Sequence, residues 1–113
     1  MKRLPRPAVP RYDYDAPAGA PHDISAGVIT AAGFLRLAAA CEGLAAACSP
    51  SPANARAYAH GLLTASLRRL GTTPPLGFLG HQVYGLGGRV RWDDDAELVF
   101  GLDYALEALN GGA

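Results

Sequence analysis

Large side chains are scarce in this sequence of 113 residues, because 22 Ala, 14 Gly and 9 Pro make up about two fifths of it. Small side chains bury little apolar surface, so the hydrophobic core must be thin. The remaining apolar residues, of which 15 are Leu, suffice for one small domain and exclude a large or multi-domain protein.

An excess of charge of either sign is also absent. Ten basic and ten acidic residues give a formal net charge of zero. A surface that binds nucleic acid or an anionic membrane by charge alone is therefore excluded, and we expect neither as a partner.

Long apolar runs are missing. The longest uncharged run that is mainly apolar, 24–35, contains two glycines and ends at Arg36, well short of the about 20 residues that a membrane span needs. Three prolines in the first ten residues occupy the place of a signal peptide's apolar stretch. We therefore expect no membrane segment, no secretion and a cytoplasmic location.

Cysteine is limited to Cys41 and Cys48. If one helix carries both, their spacing separates them by about 10 Å of helical rise, too far for a disulfide. We therefore expect two free, buried thiols in a reducing compartment. The two Cys and three His do not stand at zinc-ligand spacing, and no Gly-x-Ser-x-Gly or dinucleotide loop occurs. No metal, covalent nucleophile or other cofactor is expected.

The chain divides into an extended, proline-rich arm at 1–22 and a helical segment at 23–113. Asp23 or Ser25 is predicted to cap a first helix that runs from Ile24 to at least Leu44. Gly27 and Gly33 lie inside this helix, and since glycine weakens a helix we expect both to face a neighbouring helix.

A second helix is predicted to begin with Ser51 as its cap and Pro52 as its first residue, and to end near Gly71. Residues 72–92 then surround a glycine-rich turn and predict a short hairpin. The third helix is predicted to begin at Asp93-Asp94-Asp95, whose charges suit a helix N-terminus, and to run to about Leu109.

Four groups of side chains are candidates for chemistry, each with an ordinary alternative. Asp13 and Asp15 would lie roughly 6.6 Å apart on one face of an extended chain, a carboxylate spacing found in glycosidases, but turn formation is the simpler role. His22 beside Asp23 suits acid–base work, whereas a helix cap next to a surface histidine is commoner. Asp93, Asp94 and Asp95 could bind a cation, but their pattern is more typical of the start of a helix.

The densest polar and aromatic cluster lies in the hairpin region. It has the composition of a site that stacks on a sugar ring and binds a carboxylate, although ordinary hairpin packing uses the same residue types. Its members are His81, Tyr84, Arg89, Arg91 and Trp92.

Four segments resemble one enzyme family. Pro10-Arg-Tyr-Asp-Tyr-Asp-Ala-Pro17 and Pro21-His-Asp-Ile-Ser-Ala26 resemble the Pro-x-Trp-Asp-Phe-Asp-Ala-Pro and Arg-Asp-Ser-Ser-Ala segments of the unsaturated glucuronyl hydrolases, glycoside hydrolase family 88. His81-Gln-Val-Tyr84 is similar to a family His-Gly-Cys-Tyr stretch, and Leu98-Val-Phe-Gly-Leu-Asp-Tyr-Ala-Leu-Glu-Ala-Leu109 is similar to the family's closing helix.

The resemblance implies an all-α fold, namely the C-terminal part of an (α/α)6 barrel, with three helices and a short Gly-rich hairpin before the last. Family members remove 4,5-unsaturated uronic acid from the non-reducing end of lyase-generated oligosaccharides by hydrating the ring double bond. The family's catalytic Asp pair lies upstream of the matched region, so no catalytic residue is assigned here. Tyr84 and His81 are the residues that the resemblance assigns to the substrate pocket.

The sequence departs from the family pattern at four positions: His22 replaces Arg, Phe100 replaces Trp, Leu102 replaces Asp and Asp103 replaces Tyr. We therefore expect a truncated or split relative that is inactive as an isolated chain. Helix faces cut off from the rest of a barrel are expected to self-associate or to bind the missing N-terminal portion. The alternative is a small helical interaction or structural module without sugar chemistry.

Overall fold

The computed structural model describes residues 6–11, 15, 17–19, 22–44, 47–68, 82–85, 92–96 and 99–111, the strands by their backbone alone. In chain order the elements are α1 (Ile24–Glu42), α2 (Pro52–Leu67), β1 (Gln82–Gly85), β2 (Trp92–Ala96) and α3 (Val99–Gly111). The described residues are mostly helical, which agrees with the expected all-α class, and the short hairpin lies before the last helix as predicted.

Helix α1 begins where the sequence predicts. The carboxylate of Asp23 accepts hydrogen bonds from the backbone N–H of Ser25 at 3.0 Å and from the Ser25 hydroxyl at 2.6 Å. Asp23 has extended backbone angles and is buried. It therefore acts as the N-cap of α1, satisfying a backbone donor that has no partner within the helix.

We predict that Asp23→Ala lowers the free energy of unfolding by about 1 kcal/mol, because the first turn loses its capping acceptor. Urea denaturation followed by circular dichroism measures this loss. Asp23→Asn is the matched control, since its amide oxygen still accepts the hydrogen bond and should retain most of the stability. Equal stability of wild type and Asp23→Ala would contradict the capping role.

The end of α1 differs from the prediction. The helix ends at Glu42, two residues before Leu44, where the backbone N–H of Gly43 donates to the carbonyl of Ala39 and that of Leu44 to the carbonyl of Cys41. Because the chain leaves the helix here, Cys48 returns to Cys41 and the two form a disulfide with their Cα atoms 6.1 Å apart. The expectation of two free thiols is therefore wrong, since it assumed that one helix carries both cysteines.

Helix α2 follows its local signals. Ser51 is its N-cap and accepts a hydrogen bond from the backbone N–H of Asn54 at 3.3 Å, and Pro52 is the first helical residue. Pro is suited to this position because its missing N–H would have no helical partner. The α-helix ends at Leu67 with Arg68 as its C-cap, while the predicted stop at Gly71 falls outside the described residues.

The predicted start of the third helix is wrong. Asp93, Asp94 and Asp95 lie in β2, which pairs antiparallel with β1, and α3 begins only at Val99. Tyr84 is opposite Asp93 and Gly85 is opposite Trp92. Pairing with β1 gives the backbone of this acidic run its hydrogen-bond partners, so strand formation outweighs the preference of acidic residues for helix N-termini.

The two glycines of α1 have different surroundings. A Cβ on Gly27 would lie 2.5 Å from the hydroxyl oxygen of Ser66 in α2, so this glycine permits close helix packing as expected. Gly33 is exposed, and a Cβ there would meet nothing within 4 Å. The expectation that Gly33 faces a helix within the chain is therefore wrong, and we expect Gly33→Leu to fold.

The core forms where α1 packs against both α2 and α3. Its largest fully buried apolar side chains are Ile24, Val28 and Leu62, surrounded by many alanines. The arm before α1 contributes Val9 to the same cluster. The carbonyl of Pro10 accepts a hydrogen bond from the backbone N–H of Asp23 at 2.9 Å, which holds this part of the arm against the start of α1.

Helix α1 is the one helix in the described part of the chain with the length and apolar character to cross a membrane, with a mean hydropathy of 1.7. Half of it is buried inside the fold. Packing against α2 and α3 accounts for the apolar character of that half. The outer half is also apolar, and no contact within the described chain accounts for it.

Candidate functional site

The two residues assigned to the substrate pocket are only partly within the described structure. Tyr84 lies in β1, and β1 contacts α1. His81 lies outside the described residues, as do Arg89 and Arg91 from the same predicted cluster. The backbone pairing places Trp92 beside Gly85, so the hairpin brings two aromatic residues of the cluster, Tyr84 and Trp92, to neighbouring positions on its two strands.

The acidic candidates that the structure describes lie in a turn and at the start of a helix. Asp15 lies exposed in a turn, and its proposed companion Asp13 lies outside the described residues. His22 forms an isolated backbone bridge with Arg11, and the neighbouring Asp23 is the cap of α1. The carboxylate oxygen of Asp23 that bonds Ser25 is thus engaged in holding the helix start, which supports the capping interpretation of this pair.

A polar cluster that the sequence did not predict lies between α1 and α3. Arg36 donates through Nε to the carboxylate of Glu107 at 2.7 Å, and its Nη2 also bonds the same oxygen. The Arg36 guanidinium carbon lies 6.0 Å from the centre of the Tyr104 ring. The hydrogen bond to Glu107, followed by the charge of that carboxylate, raises the pKa of Arg36 above its ordinary value.

This cluster borders a small cleft between the two helices. The cleft has a volume of about 140 Å³, and its walls are Ala32, Leu35, Arg36, Ala39, Glu107 and Ala108. Such a volume is smaller than the pockets that usually enclose a sugar-sized ligand. Arg36 is already bound to Glu107, so the cluster links α1 and α3, and a sequence separation of 71 leaves no local signal for it.

The second ion pair involves the other end of α1. Arg56 of α2 donates to both carboxylate oxygens of Glu42, at 3.2 and 2.8 Å. The hydrogen bond and the charge of Glu42 raise the pKa of Arg56. Arg36 and Glu42 are the charged residues of α1, so both have partners within the chain.

A metal centre is not formed by the part of the chain that the structure describes, where no group of three or more His, Cys, Asp or Glu side chains comes together. The described polar contacts are helix caps and ion pairs between helices. They position the helices around α1, and of the predicted hairpin cluster the described backbone contains Tyr84 in β1 and Trp92 in β2.

Comparisons with known proteins identify no relative: no family model, curated protein or solved structure matches the chain.

Proposed function

We propose that this chain is a truncated or split glycoside hydrolase of the unsaturated glucuronyl hydrolase type. In the complete protein such an enzyme acts on 4,5-unsaturated uronic acid at the non-reducing end of lyase-generated oligosaccharides, by hydration of the ring double bond. The three helices then correspond to the C-terminal part of an (α/α)6 barrel, and the partner of the chain is the missing N-terminal portion or a second copy.

One observation carries this proposal: the described residues of the four segments that resemble the family include residues that lie in α1 or contact it. The first two meet at the start of α1, where the backbone N–H of Asp23 donates to the carbonyl of Pro10. The middle segment supplies most of β1, which contacts α1, and the last segment forms most of α3, which packs along α1. Segments scattered along the sequence thus share one neighbour, as parts of a single architecture would.

The residues proposed to bind the sugar are Tyr84 and His81. An aromatic ring at position 84 can stack on the face of a sugar, and a histidine can donate a hydrogen bond to its hydroxyl or carboxylate groups. Neither supplies the acid that protonates the double bond, because none of the acidic residues matches the family's catalytic pair. The role of this chain in the proposal is therefore binding.

We predict that the pure chain does not hydrate an unsaturated glucuronyl disaccharide, because hydration requires a positioned acid and an enclosed site. The loss of ultraviolet absorbance by the unsaturated ring measures the reaction directly. Turnover by pure protein that is abolished in Asp13→Asn or Asp15→Asn would contradict the prediction and assign the chemistry to this chain.

A second function, a helical interaction module without sugar chemistry, is favoured by one observation. The side chains of Leu102, Leu106 and Leu109 form an exposed apolar row on α3, and Ile29 and Leu37 are exposed on α1. The coding sequence immediately upstream distinguishes the two functions. Barrel helices encoded there support the hydrolase proposal, whereas an unrelated gene supports the module.

The proposal includes a cytoplasmic location, and the disulfide provides its test. A reducing cytoplasm would keep Cys41 and Cys48 as thiols, whereas an oxidising compartment would retain the bond. Alkylation of free thiols in freshly lysed cells, followed by mass spectrometry, determines which form is present. Alkylated cysteines would support the cytoplasmic location, whereas a fully bridged pair, as the structure has it, would contradict it.

A further inference from the structure

The outer face of α1 consists of Ala26, Ile29, Gly33, Leu37 and Ala40, at the spacing that puts residues on one side of a helix. Ile29 and Leu37 are 37% and 40% exposed, and Gly33 and Ala40 are exposed as well. A shallow apolar groove of about 240 Å³ runs along Thr30, Gly33, Phe34 and Leu37. No atom of the described residues lies within 4 Å of the position where a Gly33 Cβ would be.

We propose that a second copy of this chain packs its own α1 antiparallel on this outer face, about a two-fold axis at Gly33. Gly33 is the middle residue of α1, which spans 19 residues. The axis then sets Ile29 opposite Leu37 of the second copy and Ala26 opposite Ala40 of the second copy. Each large side chain meets a large one, and the smallest residue lies on the axis.

This pairing explains why the exposed outer face of α1 is apolar and symmetric about Gly33. A two-fold interface uses the same patch on both copies, so the patch must be its own complement. The outer face meets this condition because its residues are arranged symmetrically about Gly33. Three small residues, Ala26, Gly33 and Ala40, stand seven apart and let the two helix axes approach closely.

The charges on and around α1 also suit a second copy. Arg36 and Glu42 are bound to Glu107 and Arg56, and the outer face itself has no charged residue. An antiparallel arrangement brings the positive N-terminal end of each helix near the negative C-terminal end of the other. A partner with charged side chains on its contact face would find no opposite charge here, whereas a second α1 is uncharged along the same length.

The expected dimer is weak. A single helix crossing covers less than the about 800 Å² per partner of a standard interface, so we expect a dissociation constant on the order of 100 μM. The dimer does not depend on the sugar chemistry proposed above.

Sedimentation equilibrium over a range of protein concentrations tests the proposal with Gly33→Glu and Ala57→Glu. Gly33→Glu puts two like charges at the axis and should weaken dimerisation by about tenfold or more. Within a single chain a Cβ at position 33 has open space around it, so the melting temperature of the Gly33→Glu variant should not fall. Ala57→Glu is the matched control at an exposed position of α2 and should dimerise like wild type. Monomer at every concentration, or equal dimerisation by wild type and Gly33→Glu, would overturn the proposal.

Disulfide cross-linking tests the antiparallel arrangement. A mixture of Ile29→Cys chains and Leu37→Cys chains should form mixed disulfide-linked dimers. Either variant alone should cross-link several-fold less. Peptide mapping confirms that Cys41 and Cys48 stay paired with each other. The antiparallel dimer would be overturned if Ile29→Cys chains link preferentially to each other, or if cross-linking yields polymers larger than a dimer. It would also be overturned if the monomer floats with lipid vesicles, which would identify a membrane as the partner of this face.

Discussion

Leu62→Ala should lower the free energy of unfolding by about 2–5 kcal/mol, the largest effect expected from a single substitution in this chain. Leu62 is 2% exposed and is one of the largest fully buried side chains of the core. Alanines make up much of the remaining cluster, so the neighbours cannot extend to fill the cavity that the substitution leaves. Urea denaturation at low protein concentration measures the loss.

Leu106→Ala is the matched control for this substitution. It removes the same atoms from a leucine of α3 that is 52% exposed, and it should change the free energy of unfolding by less than about 0.5 kcal/mol. If Leu62→Ala leaves stability unchanged, or if the two substitutions cost the same, α1 and α2 do not pack as described.

The second large effect should come from the disulfide. Breaking the bond between Cys41 and Cys48 should cost about 2–3 kcal/mol, because it releases a loop with a sequence separation of 7 in the unfolded chain. The bond fixes the end of α1 to the segment that precedes α2. Melting curves with and without a thiol reductant measure the difference.

The double variant Cys41→Ala, Cys48→Ala separates the bond from other effects of the reductant. Its melting temperature should match that of the reduced wild type and should not respond to reductant. A wild-type melting temperature that reductant leaves unchanged would contradict a stabilising disulfide.

The starts of α1 and α2 were predictable because the signals for them are local. Asp23 and Ser51 each accept a hydrogen bond from a backbone N–H two or three residues later, so the residues that decide the start are adjacent in the sequence. The hairpin was predictable for the same reason, since a glycine-rich turn between aromatic and branched residues suffices to indicate it.

Features set by distant partners were not predictable. The disulfide depends on the return of Cys48 to the end of α1, and the acidic run 93–95 forms a strand that pairs with β1. Gly27 and Gly33 look alike in the sequence, yet only Gly27 lies against another helix of the chain. The contact between Arg36 and Glu107 requires the packing of α3 on α1, which no local pattern encodes.

The candidate site could be predicted only as far as its residue types. The cluster around Tyr84 is visible in the sequence because histidine, tyrosine, arginine and tryptophan are concentrated there. Antiparallel pairing of the strands brings Tyr84 and Trp92 to neighbouring positions in the hairpin, and this depends on a register that includes a shift between Gln82 and Tyr84.

Amide chemical shifts during titration with an unsaturated glucuronyl disaccharide test the central proposal most directly. Concentration-dependent shifts should appear at β1 and β2 around Tyr84, and the saturated disaccharide should produce smaller ones. Helix α2 should remain unaffected, and Tyr84→Ala should abolish the shifts. The absence of any shift up to the solubility limit of the sugar, or shifts confined to α2, would contradict a sugar-binding origin for this chain.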